Sequence, residues 1–347
     1  MTESCDEQRS FEERLRLQIE AYHEAALVYA AVKLGLPERM GTRSWTAEQL
    51  AAELGTHARV SAPHLHRFLR GLSTIGVCDE LPDGSFALAR AGQSLQSGAT
   101  SRLAEKVQIV VKQYWQPWAN LVSCLQTGKP AFDHVFGMTV WDWRRQHGEQ
   151  GDMFNAYLAK ETLAQADSIV DALDFSRVRT VVDIGGGHGG LIAAVLRAYP
   201  HLAGVLFDRP QTVEAAKPLL QSLGVAERMK LVGGDFLAEI PVRADLYLLK
   251  GVLQQWDDPA SLTILRNCRS AMREDARLLV IERILPGRAL ADPASIMLDL
   301  HMMAITGGRA RSLQQFEALL SEAGLRIAKV TPTSSGLSII EAVFPSP

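Results

Sequence analysis

The chain has 347 residues, with 36 Lys and Arg against 39 Asp and Glu, a formal charge of −3, and 47% hydrophobic residues. That composition supports a sizeable core and excludes intrinsic disorder, and the length suits two domains of roughly 100–200 residues each. The near-neutral charge gives no electrostatic reason to expect a polyanionic partner. Cys5, Cys78, Cys124 and Cys268 stand too far apart for a disulfide scaffold or a thiolate zinc site. The polar, acidic start MTESCDEQRS is unlike a secretory signal, and the early apolar stretch at 25–36 is short and interrupted by Lys33. A cytoplasmic location with no membrane partner is therefore expected.

Residues 11–36 carry apolar side chains at helical spacing, punctuated by Gly35 and Pro37. Ser44-Trp45-Thr46 opens a short capped helix that closes near Gly55, and Ala62-Pro63-His64 opens a second that runs to about Ile75. Pro82-Asp83-Gly84, set between short runs at 77–80 and 85–88, is a hairpin signal. Together these predict a winged helix-turn-helix over about 44–90. As a DNA reader, its second helix offers only Arg67 and Arg70 as strong cations, and the first is acidic through Glu48 and Glu53. Phosphate contacts dominate DNA affinity, so a wing used for packing or dimerisation is the better expectation, with no nucleic-acid partner.

A helical stretch at 102–173 follows, rich in aromatics: Tyr114, Trp115, Trp118, Phe132, Phe136, Trp141, Trp143, Phe154 and Tyr157. Core or interface packing is the ordinary role of such residues, and the remainder would line an aromatic pocket. From Arg179 strands and helices alternate, with strands expected at 180–184, 203–208, 229–232, 244–249 and 276–281, the pattern of an α/β parallel sheet. The last two strands, 326–330 and 337–343, are joined by a segment too short for a crossover helix, so an antiparallel pair should end the sheet.

Gly185-Gly186-Gly187-His188-Gly189-Gly190 follows the first strand of that sheet and opens a helix. Such a loop lets a ligand approach the backbone amides at a helix N-terminus. Alone it fits a dinucleotide and S-adenosylmethionine equally. Asp183 at the strand end would oppose a pyrophosphate but suits an ammonium group, and Asp208 at the next strand end suits ribose hydroxyls of either cofactor. Asp235 beside Phe236 suits the amino group and the face of an adenine. Acids at three successive strand ends favour a cationic cofactor without phosphates.

The segments VVDIGGGHGG, LFDRP, GGDF, LLKGVLQQWDD, ILRNCRSAM and LDLHMMAITGGRARS together resemble the dimeric small-molecule O-methyltransferases of the caffeic acid and hydroxyindole type, with their bacterial natural-product relatives. The resemblance covers nearly the whole chain. It implies an all-α N-terminal dimerisation domain containing the winged helix, at 1–165. It also implies a Rossmann-like S-adenosylmethionine domain at 166–347, with a mostly parallel sheet and an antiparallel last strand. Cofactor contacts are implied at Asp183, Gly185, Gly187, Asp208, Arg209, Asp235, Phe236 and Lys250. A homodimer is implied, each subunit's N-terminal helices helping to close the other's pocket.

Two positions depart from the family. The segment after the fourth strand there reads Lys-x-x-x-His-Asp-Trp, and its histidine deprotonates the acceptor hydroxyl; here Gln254 and Gln255 precede Trp256. The glutamate that braces that histidine falls at Ala310 in Gly307-Gly308-Arg309-Ala310-Arg311-Ser312. A phenol with a pKa near 10 is about one part in a thousand ionised at pH 7, and a positioned base contributes typically ~10²–10⁴-fold. Glutamine has no titrating group and can only orient an acceptor.

The reading that follows is a methyltransferase acting on a small aromatic acceptor, with carbon or nitrogen methylation favoured and an indole-type ring as an example. Three alternatives stand beside it: O-methylation by another base, non-methyl chemistry on a drifted scaffold (hydroxylation or a pericyclic step), and an inactive dimeric binding protein. His301 is the candidate replacement base, beside Gln254 as an orienting group, with Tyr22 and neighbouring His23 as weaker candidates on the early helix. His188, His134 and His147 have no comparable support. Trp115, Phe154, Met297, Met302 and Trp256 are the candidate acceptor walls. No metal is expected, because no second histidine at ligand spacing accompanies His301 and Asp299.

Overall fold

The structure is a computed structural model that describes residues 10–99 and 101–345, excepting the side chains of residues 56–58; Cys5 and the acidic start lie outside the described residues. The chain divides into two compact units, 1–115 and 116–347. The boundary expected near 165 falls inside one unbroken helix, Gly148–Val170. That helix packs along helix Gly190–Ala198 at the glycine turn, so the aromatic-rich helical stretch belongs with the sheet from residue 116 onward.

In the N-terminal unit the single helix expected at 11–36 is two, Phe11–Glu20 and Tyr22–Lys33. Thr46 and Gln49 form a reciprocal capping box that opens helix Ala47–Ala58, and the chain leaves helical geometry at Gly55. Helix Ala62–Thr74 buries Leu65, Leu69 and Leu72 against Leu50, Met40 and Phe86. Strands β1 (Cys78–Glu80) and β2 (Phe86–Leu88) pair antiparallel, and Trp45 exchanges backbone hydrogen bonds with Phe86 to add a third rung. Of the two arginines on the second helix, Arg70 pairs with Glu80 of the hairpin at 3.4 Å. The winged helix therefore spends part of its scarce positive charge on itself.

The second unit is built on a seven-stranded sheet: β3 (Thr180–Ile184), β4 (Ala203–Asp208), β5 (Met229–Gly233), β6 (Leu246–Lys250), β7 (Arg277–Glu282), β8 (Arg326–Pro332) and β9 (Ser338–Val343). The order is β5-β4-β3-β6-β7-β9-β8, parallel except for β9, which runs antiparallel to both neighbours. Alternate residues feed two separate cores. Val182, Ile184, Phe207, Tyr247 and Leu249 face one, while Val181, Leu206, Leu246, Leu248 and Ile281 face the other. Burial on both faces explains why these strands read as continuous apolar runs. The order reverses between β3 and β4 on one side and β6 on the other, and the strand ends there open the crevice in which α/β sheets bind ligands.

Candidate functional site

The glycine turn leaves β3 with the Gly185 amide donating to the Phe207 carbonyl at 2.8 Å. Gly187 adopts φ 59°, the left-handed region where a side chain is strained, and a Cβ there would meet no atom within 4 Å. The turn thus presents bare backbone to open space. The Gly187 amide donates to Asp208 Oδ2 at 2.8 Å, and the Arg209 amide donates to Asp208 Oδ1 at 2.7 Å. Each oxygen of Asp208 is fixed by one amide and retains a lone pair for a vicinal diol.

Behind the turn, Asp183 is buried with its carboxyl against the Gly186 backbone, and burial pushes its pKa up to about 7 despite the nearby Lys250. Lys250 ends β6 and donates through Nζ to Thr162 Oγ1 at 3.2 Å; its own burial lowers its pKa, opposed by Asp183, Glu161 and Glu282.

A cleft of about 770 Å³ opens in front of the turn. Gly185, Gly187, Asp208, Arg209, Asp235, Phe236, Trp256 and Phe154 all line it. Its aromatic wall is Trp256, met edge-on by Phe236 at 5.9 Å and 88° and faced by Trp141 at 6.2 Å and 14°. Arg144 and Arg209 lie over the Trp141 ring, and Arg144 also covers Phe154. Among the described residues that line this cleft, Asp183, Lys250, Gln254, His301, Met297 and Met302 do not appear. Met297 is 52% exposed and Met302 is buried. Tyr22 and Trp115 belong to the N-terminal unit, where they pack edge to face at 6.4 Å. Phe132, Phe136 and Trp143 pack on one another as ordinary core.

Beside the cleft a short turn, Leu253–Gln255, carries Gln254. Two side chains and a glycine outside the candidate set hold it. The buried guanidinium of Arg311 donates to the carbonyls of Leu253 at 2.9 Å and Trp256 at 3.0 Å, to Ser261 Oγ at 3.0 Å and to Asp258 Oδ1 at 2.7 Å. Gly308 approaches so closely that a Cβ would collide with the backbone of Gln254, Gln255 and Trp256. Glu282, at the end of β7 and 1% exposed, accepts the Gln254 amide at 3.0 Å through Oε1. Its Oε2 is buried without a hydrogen-bond partner, and burial pushes its pKa up to about 7. The usable signal for Glu282 was its place at a strand end, where the expected strand stopped one residue short. Ala310 is buried with only its amide engaged, donating to Asp299 Oδ1 at 2.8 Å.

His301 lies on helix Pro293–Ile305, which packs against the Leu253–Gln255 turn. The indole Nε1–H of Trp118 donates to His301 Nδ1 at 3.1 Å, with the two rings inclined by 21°. Burial, with the positive charge of Arg144, holds the imidazole pKa down to about 4. The ring is therefore neutral near pH 7, its one basic lone pair occupied by an N–H.

Residues 118–326 match the family model of the O-methyltransferase domain. The chain is 37% identical to a phenazine O-methyltransferase of Lysobacter antibioticus over 93% of this chain and 94% of that one. It is 32% identical to an 8-amino-8-demethylriboflavin N,N-dimethyltransferase of Streptomyces davaonensis, over 91% of each. Its fold superposes with a TM-score of 0.80 and 28% identity on an O-methyltransferase from neocarzinostatin biosynthesis, solved with S-adenosylmethionine and 2-hydroxy-5-methyl naphthoic acid, covering 93% of this chain and 96% of that one.

Proposed function

Starting from the fact that this chain belongs to the O-methyltransferase domain family and is an S-adenosylmethionine-dependent methyltransferase of specialised metabolism, we propose that it methylates a nitrogen or carbon centre of a small aromatic acceptor, for example an indole-type ring. One observation supports this reading: position 254, where the family resemblance puts the proton-removing histidine, holds a glutamine, which cannot titrate. The brace position is Ala310, Glu282 is sealed on its strand end, and the His301 lone pair is taken by Trp118. A neutral amine or an electron-rich ring carbon attacks without prior deprotonation, and its proton is lost to water after transfer, when the cationic product is a far stronger acid than the acceptor was. A phenol lacks that option. The N-methylating relative lends the nitrogen reading support.

The residues fit the cofactor. Open space over Gly187, a diol-ready carboxylate at Asp208 and an aromatic wall at Phe236 and Trp256 suit the methionine part, ribose and adenine of S-adenosylmethionine, with Asp235 at the adenine edge. Asp183 and Lys250 would support that end from behind the turn. Bound S-adenosylmethionine supplies a methyl group activated by a sulfonium. The chain's part is orientation: Gln254 directs the acceptor, and proximity supplies most of the acceleration. Trp141 and Phe154 line the cleft and would hold rings, alongside Trp115 and Tyr22 if the partner subunit completes the pocket. Phe11 at 73% and Ile19 at 67% exposure give the first helix the apolar surface that a homodimer would cover.

The test is substitution at 254. Gln254→Ala should keep the rate on an aromatic amine or indole acceptor within about ten-fold, because orientation alone is lost. A fall of ~10²–10⁴-fold, the range for a positioned proton-transfer group, would sink the reading.

A further inference from the structure

We propose that Trp141 is a cofactor-contacting residue, the moving jaw of a clamp that closes on the adenine ring, with Trp256 as the fixed jaw. Both indoles line the cleft, half-buried, and lie parallel within 14° at a centroid separation of 6.2 Å. The neighbours of Trp141 locate it at the cofactor end of the cleft. One is Arg209, whose guanidinium lies over the ring at 5.4 Å and whose amide fixes the ribose acid Asp208. The other is Trp256, met edge-on by Phe236, which follows Asp235 at the adenine edge. A single indole thus adjoins both the ribose side and the adenine side.

A planar ring held between two others needs about 7 Å from plane to plane, twice the ~3.5 Å separation of carbon atoms in contact. Near-parallel planes can be no farther apart than their centroids, so the gap between these indoles is at most 6.2 Å. Adenine therefore enters between them only if one jaw moves outward by about 1 Å. Trp256 is the one that stays. It packs against the core on one face of the sheet, Arg311 holds its carbonyl at 3.0 Å, and Gly308 presses on the backbone of its turn. Trp141 projects from helix Val140–Gln146, which is anchored by buried Val140 and Trp143. Its own ring lies outside both sheet cores, and its Nε1–H makes no hydrogen bond among the described residues. Arg209 is exposed and holds the ring only through a cation–π contact, so it can follow a small swing of the indole. An adenine gripped on both faces keeps the cofactor in register during transfer, and the spent cofactor leaves when Trp141 swings out.

Calorimetric titration with S-adenosylhomocysteine reads the clamp without turnover. Trp141→Leu keeps an apolar side chain and removes base–aromatic stacking, so Kd should rise about ten-fold or more, and Trp141→Phe should restore it to within about three-fold of wild type. 5′-Methylthioadenosine, which keeps adenine and ribose without the amino acid, should lose the same factor in Trp141→Leu. S-ribosylhomocysteine, which lacks adenine, should bind wild type and Trp141→Leu equally, as read by displacement of S-adenosylhomocysteine. An unchanged Kd for S-adenosylhomocysteine in Trp141→Leu would place the ring away from the base. Equal losses for the ligands with and without adenine, or no rescue by phenylalanine, would make Trp141 a merely structural residue. Any of these results overturns the clamp. Contact with the base is also read by tryptophan fluorescence: saturating 5′-methylthioadenosine should quench wild type, and Trp141→Phe should lose about half of that quench, one of the two stacked indoles being gone. The full quench in Trp141→Phe would overturn the assignment to Trp141. Neither readout involves the acceptor, so the clamp stands or falls separately from which atom takes the methyl group.

Discussion

Replacing Arg311 by Met tests how the turn carrying Gln254 is held. The substitution keeps much of the side-chain volume and removes every donor. The Leu253 and Trp256 carbonyls would then rely on Ser261 Oγ at 3.2 and 3.4 Å, and Ser261 would lose its own guanidinium partner. Hydrogen bonds to a charged donor contribute about 1.5–3 kcal/mol each. Relief of guanidinium desolvation offsets part of that, and Asp258, half exposed, returns to water at little cost. Breaking a buried ionic network by removing one partner typically costs about 3–5 kcal/mol. At roughly 2–4 °C per kcal/mol for a body of this size, Tm should fall by about 10 °C. Arg311→Lys should recover only a minor part, because a point charge cannot span two carbonyls and a carboxylate. Differential scanning calorimetry of the three proteins decides it. A drop below about 2 °C for Arg311→Met, or full recovery in the lysine variant, would refute the reasoning.

Gly308→Ala should cost about 1–3 kcal/mol by overpacking and should impair turnover more than cofactor affinity, because the displaced backbone is that of Gln254–Trp256; wild-type kcat and Tm would contradict this. Asp208→Ala should weaken S-adenosylhomocysteine binding about ten-fold or more in calorimetric titration through loss of charge-assisted hydrogen bonds, and an unchanged Kd would remove Asp208 from the site. Asp183 has its folded pKa raised from the ordinary 3.8 to about 7. The stability that its neutral form contributes is complete below about pH 4 and is lost as pH rises through about 7. Wild type should therefore lose stability relative to Asp183→Asn across that window and run parallel to it above; a difference constant from pH 4 to 8 in denaturant titrations would count against a buried, desolvated Asp183.

What the sequence disclosed was local or periodic. The strands announced themselves because both faces of the sheet are buried. The glycine turn, Asp208 and Asp235–Phe236 were legible because each is a short motif at a strand end, and the structure sets them along one cleft. The departures proposed at 254 and 310 rest on short motifs of the same kind. Contacts between distant segments were not. Trp118 and His301 stand 183 positions apart, and nothing in either neighbourhood announces the other. Arg311 stood within the Gly307–Ser312 segment with no role assigned to it, yet it turns inward to satisfy carbonyls more than 50 positions earlier. Glu282 looked like the exit of an apolar strand. Trp141 was one of many aromatics until the cleft separated it from the Phe132–Phe136–Trp143 core. The compact units divide at 115 and not near 165 because the change from helices to alternation marks where the sheet begins, whereas its supporting helix, Gly148–Val170, precedes it.

The central claim concerns the atom that receives the methyl group. It is tested most directly with ¹³C-methyl S-adenosylmethionine, offered with matched hydroxy, amino and unsubstituted-carbon versions of one aromatic scaffold, by reading the ¹³C shift of the product. The account predicts label on nitrogen or carbon, a mass gain of one methylene, and no methoxy signal. A methoxy product formed at a comparable rate by the unaltered enzyme would contradict it.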